Sequence, residues 1–249
     1  MNAALRAELF KQRSTRTGLG LFGAMLGLVL FVVLLHGFGV AADNIDSTSK
    51  QLTVLFGWGE VLGALFAALL GAMSITAEIR HGTLRSTFLV TPRRGRVVAA
   101  KVWVSTLIGA GFGLAAGALA AAVGTAALRA RGIHVQLDRG DYVLLLLGGT
   151  AAAALWAALG VGLGALVRNQ VPTLIGICAW LLFVEGLLAG DLVGLGEVGR
   201  FLPGAAAAAI SGQDPATLLA PVPGLVLLAS YAAAAALAGS VATSRRDVG

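Results

Sequence analysis

Six long runs of apolar residues dominate the sequence, and they strongly limit what the chain can fold into. A helix needs about 20 mostly apolar residues to cross the hydrocarbon layer of a membrane. The runs lie at 18–42, 54–77, 102–128, 142–167, 173–189 and 223–243. Only 12% of the residues are charged, whereas a soluble domain carries about 25%. We therefore expect an all-α, polytopic membrane protein with six transmembrane helices.

The first apolar run is too long for a cleaved signal peptide. It extends over 18–42, whereas the apolar part of a signal peptide covers about 7–15 residues. Residues 1–17 precede it and mix basic side chains with a partly apolar face. We predict a cytoplasmic interfacial helix over 1–17, a single transmembrane domain over 18–243 and a cytoplasmic tail over 244–249. A plain solvated basic tail is the alternative for 1–17.

The distribution of lysine and arginine predicts the orientation of the chain. With six spans, 1–17, 78–101, 168–172 and 244–249 lie on one side and carry 13 basic residues, against five on the other side. Basic residues concentrate on the cytoplasmic side of a bacterial inner membrane, so we expect both termini in the cytoplasm. The net charge of +6 is thus explained by topology, and we expect no nucleic-acid partner.

Glycine and the segment between the last two runs suggest how the helices are arranged. Pairs four residues apart, such as Gly23/Gly27, Gly59/Gly63, Gly109/Gly113 and Gly160/Gly164, place small residues on one helix face, where backbones can pack closely. Within 190–222, the apolar stretch 201–210 is too short to span. We expect a short outer re-entrant or interfacial helix there, with an ordinary loop as the alternative.

Several kinds of catalytic and cofactor site are missing from the sequence. The residues before Lys11, Lys50 and Lys101 are not glycine, so no lysine can complete a phosphate-binding P-loop. The three histidines form no HExxH motif, and the single cysteine, Cys178, lies inside an apolar run. We expect no catalytic residues, no metal and no cofactor bound by this chain.

Two carboxylates, Glu60 and Glu185, fall inside apolar runs. A charge at membrane depth costs at least about 2.5 kcal/mol on insertion scales, so such residues usually face a cavity or a partner. The functional interpretation is a transport pathway lined by the second and fifth spans. The structural alternative is that Glu60 is protonated or hydrogen-bonded between helices and that Glu185 merely reaches the outer interface.

The segment 78–101 is longer and more varied than a simple turn between two spans needs to be. It contains an internal glycine, Gly82, and a Pro-Arg-Arg-Gly turn at 92–95. We predict a short helix near 83–90, a break at the proline and a return to the membrane at 96–101. Its arginines suit carboxylates across a subunit interface, and Glu78 could pair with Arg80, Arg85 or a partner.

The sequence resembles the six-helix permease subunits of type-2 ABC transporters, particularly small actinobacterial ones. The resemblance rests on EIRHGTLRSTF at 78–88, TPRRGR at 91–96, AAK at 99–101, LRAELFK at 5–11, GVGLGALVRNQ at 160–170, FLPGAA at 201–206 and RRDV at 245–248. Each motif is short, but their order and spacing extend over nearly the whole chain.

The resemblance implies a permease that dimerises with itself or with a related chain and sits on a separate ATP-binding subunit. ATP and Mg²⁺ would be bound by that partner, and the substrate would be a drug, lipid or other amphipathic molecule exported by alternating access. The segment 78–101 would hold the coupling helix. The implied coupling residues are Glu78, Arg80, His81, Gly82, Thr83, Arg85, Pro92, Arg93 and Arg94.

Two other classes of protein fit the same spans. A self-sufficient secondary carrier could use Glu60 or Glu185 as a proton site, although the sequence shows no obvious inverted repeat. A non-transporting membrane anchor or assembly factor would leave the cytoplasmic segment without a nucleotide-bound partner. The sequence identifies neither the substrate nor the ATPase.

Overall fold

The structure, a computed structural model, describes residues 2–40, 47–83, 94–189, 196–214 and 216–245, and these residues form helices and connecting turns. The α-helices are α1 (Asn2–Ser14), α2 (Arg16–Leu35), α3 (Thr48–Gln51), α4 (Gly57–Arg80), α5 (Arg94–Ala130), α6 (Arg139–Val167), α7 (Gln170–Ala179), α8 (Glu185–Ala189), α9 (Pro203–Ile210) and α10 (Pro221–Arg245). A π-helical turn extends α2, and two others join α3 to α4 and α7 to α8. A 3₁₀ segment, Gly196–Phe201, precedes α9.

Among the residues that the structure describes, six helical stretches are long and apolar enough to cross a membrane, which confirms the predicted all-α chain with six spans. They are Arg16–Gly39, Thr48–Arg80, Gly95–Ala130, Arg139–Val167, Gln170–Leu188 and Pro221–Arg245. This arrangement fits a multi-pass membrane protein. The third span begins earlier than its apolar run because α5 continues without interruption from Arg94 through Lys101.

The centre of the bundle is formed by α4, α5 and α6, which approach one another through small residues. Gly63 in α4 faces Gly113 and Ala116 of α5, where an added Cβ would lie 3.2 Å from both. A Cβ on Gly160 in α6 would overlap the carbonyl of Ala68 in α4. The close packing predicted from these glycines is therefore present in the core.

Helix α2 does not use its glycines in the same way. A Cβ added at Gly23 or Gly27 would meet no atom within 4 Å. Helix α2 instead packs inward through Met25, Val29 and Val33, which are fully buried. Among the described residues, the close packing predicted for the Gly23/Gly27 pair is absent.

The spans alternate in direction, which places α1 and the C-terminal end of α10 at one end of the bundle. At this end, the α1 end, Lys11 contacts Glu78 at the end of α4, and Gly95 at the start of α5 lies against Ser240 near the end of α10. The opposite end, the distal end, contains α3, the connection between α5 and α6, and α9.

At the distal end, α9 is inserted between other helices. Its residues Ala206, Ala207, Ala209 and Ile210 are buried. Gly148 of α6 permits this approach, because a side chain there would overlap the carbonyl of Ile210. The apolar stretch 201–210 thus contains a genuine short helix packed into the bundle.

Candidate functional site

Two groups of buried charged residues stand out, one at each end of the bundle. The first, the charge cluster, consists of Glu8, Lys11, Glu78 and Lys101. Helix α1 supplies Glu8 and Lys11, the last turn of α4 supplies Glu78, and the early part of α5 supplies Lys101.

Lys101 is the centre of the charge cluster and is almost completely buried, with 1% of its surface exposed. Its Nζ donates to Glu8 Oε2 at 2.8 Å and to the Ser74 carbonyl at 2.9 Å. It also lies 2.9 Å from Glu78 Oε1. Lys101 therefore pairs with both acids of the cluster, and the buried lysine is compensated by two carboxylates.

Lys11 completes the cluster from its more exposed side. Its Nζ donates to Glu78 Oε1 at 2.9 Å and to Glu8 Oε1 at 3.2 Å. Burial lowers the pKa of Lys11, but the hydrogen bonds and negative charges of Glu78 and Glu8 outweigh that effect, so its pKa lies above the ordinary value. The stabilisation that Lys11 provides is therefore fully present at neutral pH and is lost only as the pH rises through this raised pKa.

The charge cluster changes the interpretation of α1. In the sequence, Glu8 and Gln12 interrupt the partly apolar face predicted for residues 1–17. In the structure Glu8 is buried, and Gln12 donates from Nε2 to Ser105 Oγ of α5 at 3.1 Å. Positions i, i+3 and i+4 share one helix face, so Glu8, Lys11 and Gln12 form the side of α1 that packs on α4 and α5.

The residues of the predicted coupling segment are distributed over two helices and the connection between them. Glu78 and Arg80 belong to the last turn of α4, and Arg94 begins α5. Glu78 pairs with Lys11 and Lys101, whereas its predicted partners were Arg80, Arg85 or another subunit. Arg85, Pro92, Arg93 and the predicted helix near 83–90 lie outside the described residues.

Helix α4 ends in a turn that exposes the remaining predicted coupling residues. Gly82 has a φ of +69°, the left-handed conformation with which helices commonly end. Arg80, His81, Gly82 and Thr83 are all exposed at this point. The end of α4 therefore combines a buried face, which carries Glu78, with an exposed face that a partner protein could reach.

A cavity of about 630 Å³ lies next to the charge cluster, between α1, the beginning of α2, and the adjoining ends of α4 and α5. Its walls include Leu21, Leu70 and Met73. Two buried acceptors near it, Gln12 Oε1 and Glu78 Oε2, receive no hydrogen bond from the described residues. Helix α1 therefore contacts α4 and α5 mainly through its polar face, and the cavity lies beside these contacts.

The second group lies at the distal end and contains both carboxylates predicted for a transport pathway. Glu60 from the first turn of α4 and Glu185 from the start of α8 line one cavity of about 300 Å³, which we call the distal cavity. Glu60 is 3% exposed and Glu185 is 7% exposed. The structure thus brings together two acids that are far apart in the sequence.

The two carboxylates are held differently. Glu60 Oε2 accepts one side-chain hydrogen bond, from Gln213 Nε2 at 3.2 Å. Glu185 Oε1 accepts from the backbone N–H groups of Gly204 at 2.5 Å and Ala205 at 2.9 Å, at the N-terminus of α9. Glu185 therefore caps α9, where the helix dipole favours a negative charge.

One oxygen of Glu185, Oε2, is buried and receives no hydrogen bond from the described residues. The indole of Trp180 interacts with the carboxylate, although its Nε1 does not meet hydrogen-bonding geometry. Gly204 is required for this arrangement, because a Cβ there would lie 2.7 Å from that oxygen. Glu60 is hydrogen-bonded to Gln213, which follows α9, and both acids line the same cavity, so their role in a transport pathway stays a prediction.

Sequence patterns alone missed Lys101, Glu8 and Gln213 as members of these groups. Lys101 looks like one more basic residue before an apolar run, and Gln213 lies in a loop. The i, i+3, i+4 spacing of Glu8, Lys11 and Gln12 was the one available signal, since it places three polar groups on one face of α1.

The chain matches no protein-family model, and no curated protein sequence matches it significantly. The function must therefore be argued from the sequence and from the two groups of buried charges.

Proposed function

We propose that this chain is the membrane-spanning permease subunit of an ATP-driven exporter and that it couples to a separate ABC-type ATP-binding subunit. The proposal combines the sequence resemblance with one structural observation, the charge cluster. That cluster joins α1 to the end of α4 and the start of α5, the two helices on either side of residues 81–93.

The charge cluster suits a device that transmits motion. Basic residues that only orient a membrane protein can stay in water, whereas burying Lys101 and Glu8 carries a desolvation cost that close pairing must offset. Such pairing favours one arrangement of the three helices. A partner that pushes on the segment between α4 and α5 would then move both spans and α1 together.

The proposal also assigns positions to two short helices. Helix α1 would lie in the cytoplasmic interface, with the exposed Phe10 directed towards lipid and its polar face on the bundle. Helix α9 would be the outer re-entrant element, held at its N-terminus by Glu185. Both termini would be cytoplasmic, and two such subunits, identical or related, would form the exporter.

A proton-coupled carrier is the second candidate, and the shared cavity of Glu60 and Glu185 favours it. The two candidates differ in what neutral substitutions do. A carrier with its proton site at these acids should lose transport entirely in Glu60→Gln or Glu185→Gln. An ATP-driven pump should keep transport, with unchanged or altered substrate preference. A non-transporting anchor is supported by no specific feature of the distal cavity.

The test of the proposed function is affinity purification of the tagged chain from its native membrane in a mild detergent. We expect a protein with a P-loop and ATPase activity to co-purify with the wild-type chain. Arg80→Ala together with Arg85→Ala should weaken that association, because these side chains belong to the segment that would contact the ATPase. Arg139→Ala is the matched control, since Arg139 is exposed at the opposite end.

Glu78 is unsuitable for this test although it belongs to the predicted coupling residues. Its substitution would disturb the charge cluster, so that a loss of folding could not be distinguished from a loss of coupling to the ATPase. If no ATPase is recovered even after crosslinking, or if Arg139→Ala weakens recovery as much as the Arg80 and Arg85 changes, the permease proposal is wrong.

A further inference from the structure

The distal cavity is lined by acidic side chains without a compensating basic residue among the described residues that line it. Three acids line it, Glu60, Glu185 and Asp214. Asp214 accepts from Thr217 Oγ1 at 2.6 Å and from Ser49 Oγ at 3.4 Å, so its charge is partly satisfied. Glu60 is the least compensated of the three, because its hydrogen-bond partner among the described residues is a neutral amide, that of Gln213.

In the charge cluster at the α1 end, by contrast, the carboxylates are paired with lysines. There, Glu8 and Glu78 are matched by Lys11 and Lys101 at 2.8–3.2 Å. In the distal cavity the corresponding cation is missing from the described lining, although Glu60 is as deeply buried as Glu8. An isolated buried carboxylate is unfavourable, and it is compensated either by a proton or by a cation that enters the cavity and pairs with it.

The size and walls of the cavity indicate which kind of cation fits. A bare metal ion needs several oxygen ligands at about 2.0–2.6 Å. The described residues contain no group of three or more His, Cys, Asp or Glu side chains that could hold one. The walls also contain apolar side chains, including Val61, Leu181 and Leu218. Apolar walls with a few polar groups are typical of sites for small organic molecules.

We propose that the distal cavity binds an organic cation, a protonated amine or a quaternary ammonium ion. Its charge lies against the carboxylates of Glu60 and Glu185, with the unpaired Glu185 Oε2 as one acceptor, and its apolar body lies against Val61, Leu181 and Leu218. That this cation is the transported substrate rests on the proposed function, whereas its binding does not.

The experiment measures equilibrium binding to the purified full-length chain in detergent or nanodiscs, without any ATPase. The probes are 4-phenylbutylamine, which is positively charged at pH 7, and 4-phenylbutan-1-ol, which has the same skeleton without the charge. We expect the amine to bind at least about tenfold more tightly than the alcohol, because its ammonium group forms a charge-assisted hydrogen bond and ion pair with the carboxylates that the neutral hydroxyl cannot form.

Neutral variants test the two carboxylates. Glu60→Gln and Glu185→Gln should each reduce amine binding at least about tenfold and leave alcohol binding nearly unchanged. Glutamine at 185 can still accept from the two N–H groups of α9, so the cap is kept. Glu197→Gln is the matched control, because Glu197 is an exposed acid of the distal end that does not line the cavity.

Three results would overturn the cation site. They are equal binding of amine and alcohol, unchanged amine preference in both neutral variants, or complete displacement of the amine by an equal concentration of sodium, which would indicate an inorganic ion site. Each variant must elute as a monodisperse species before it is scored. If the amine does not bind, the proposed association with an ATPase is unaffected. If no ATPase associates, the proposed binding of the amine is unaffected, so the two proposals can fail separately.

Discussion

At the scale of single residues, the strongest constraint is the burial of Lys101. Its ammonium group is surrounded by two carboxylates and a backbone carbonyl, all within 3 Å. The attraction within such a group offsets the cost of removing charges from water only while each charge keeps its partner. Removing one member of the cluster therefore destabilises the protein by more than the intact pair stabilises it.

Lys101→Met should destabilise the protein by about 3–5 kcal/mol, because Glu8 would stay buried without its main cation. The midpoint of thermal unfolding in detergent, followed by tryptophan fluorescence, measures the change. Lys50→Met is the control for removing an exposed lysine. Adding Glu8→Gln to Lys101→Met should restore part of the loss, and a double variant as unstable as the sum of both single changes would contradict the pairing.

At the scale of helices, the backbone contact between α4 and α6 depends on glycine. Gly160 of α6 faces the carbonyl of Ala68 in α4, and Gly71 of α4 faces the carbonyl of Ala157 in α6. Each helix therefore places a glycine directly against the backbone of the other. Apolar side chains cannot bring helices together in lipid as they do in water. Close van der Waals packing therefore contributes much of the association.

Gly160→Ala should lower the unfolding temperature, at a cost of about 1–3 kcal/mol, because the new methyl group forces α4 and α6 apart. Gly23→Ala is a matched control in α2, where a Cβ meets nothing within 4 Å. The same fluorescence melt compares the two variants. Equal stability of Gly160→Ala and wild type would contradict the close contact, and a loss in Gly23→Ala would reveal a neighbour outside this chain.

At the scale of the whole molecule, six spans place α1 and the end of α10 at the same end of the bundle. That end also carries most of the lysine and arginine outside the spans. The charge cluster neutralises Lys11 and Lys101 locally, which leaves the exposed arginines of this end to interact with lipid headgroups, a partner protein or water. This distribution still favours a cytoplasmic position for both termini.

Labelling of single cysteines in intact cells and in inverted vesicles tests this orientation. In a Cys178→Ala background, Ser14→Cys should react with a membrane-impermeant maleimide in inverted vesicles only. Glu197→Cys should react in intact cells only, because it is exposed at the distal end. Reaction of both from one side would contradict the six-span arrangement, and the reverse pattern would contradict the orientation.

Much of the fold was predictable because hydrophobic length is a local property. Each span can be recognised within about 20 residues, and glycines four apart reveal possible packing faces in the same way. The pattern could not show that α5 begins at Arg94, since the basic and small residues up to Lys101 resemble a loop. It also could not show which glycines face another helix, as Gly160 does and Gly23 does not.

The sequence by itself determined the helical class, the six spans and the positions of Glu60, Glu78 and Glu185 near their ends, because each depends on nearby residues. The tertiary structure alone decided the partners of these acids. Lys101 meets Glu8 across 93 residues, and Gln213 meets Glu60 across 153. Such pairings depend on how helices pack in three dimensions, and hydropathy along a single segment carries no information about that.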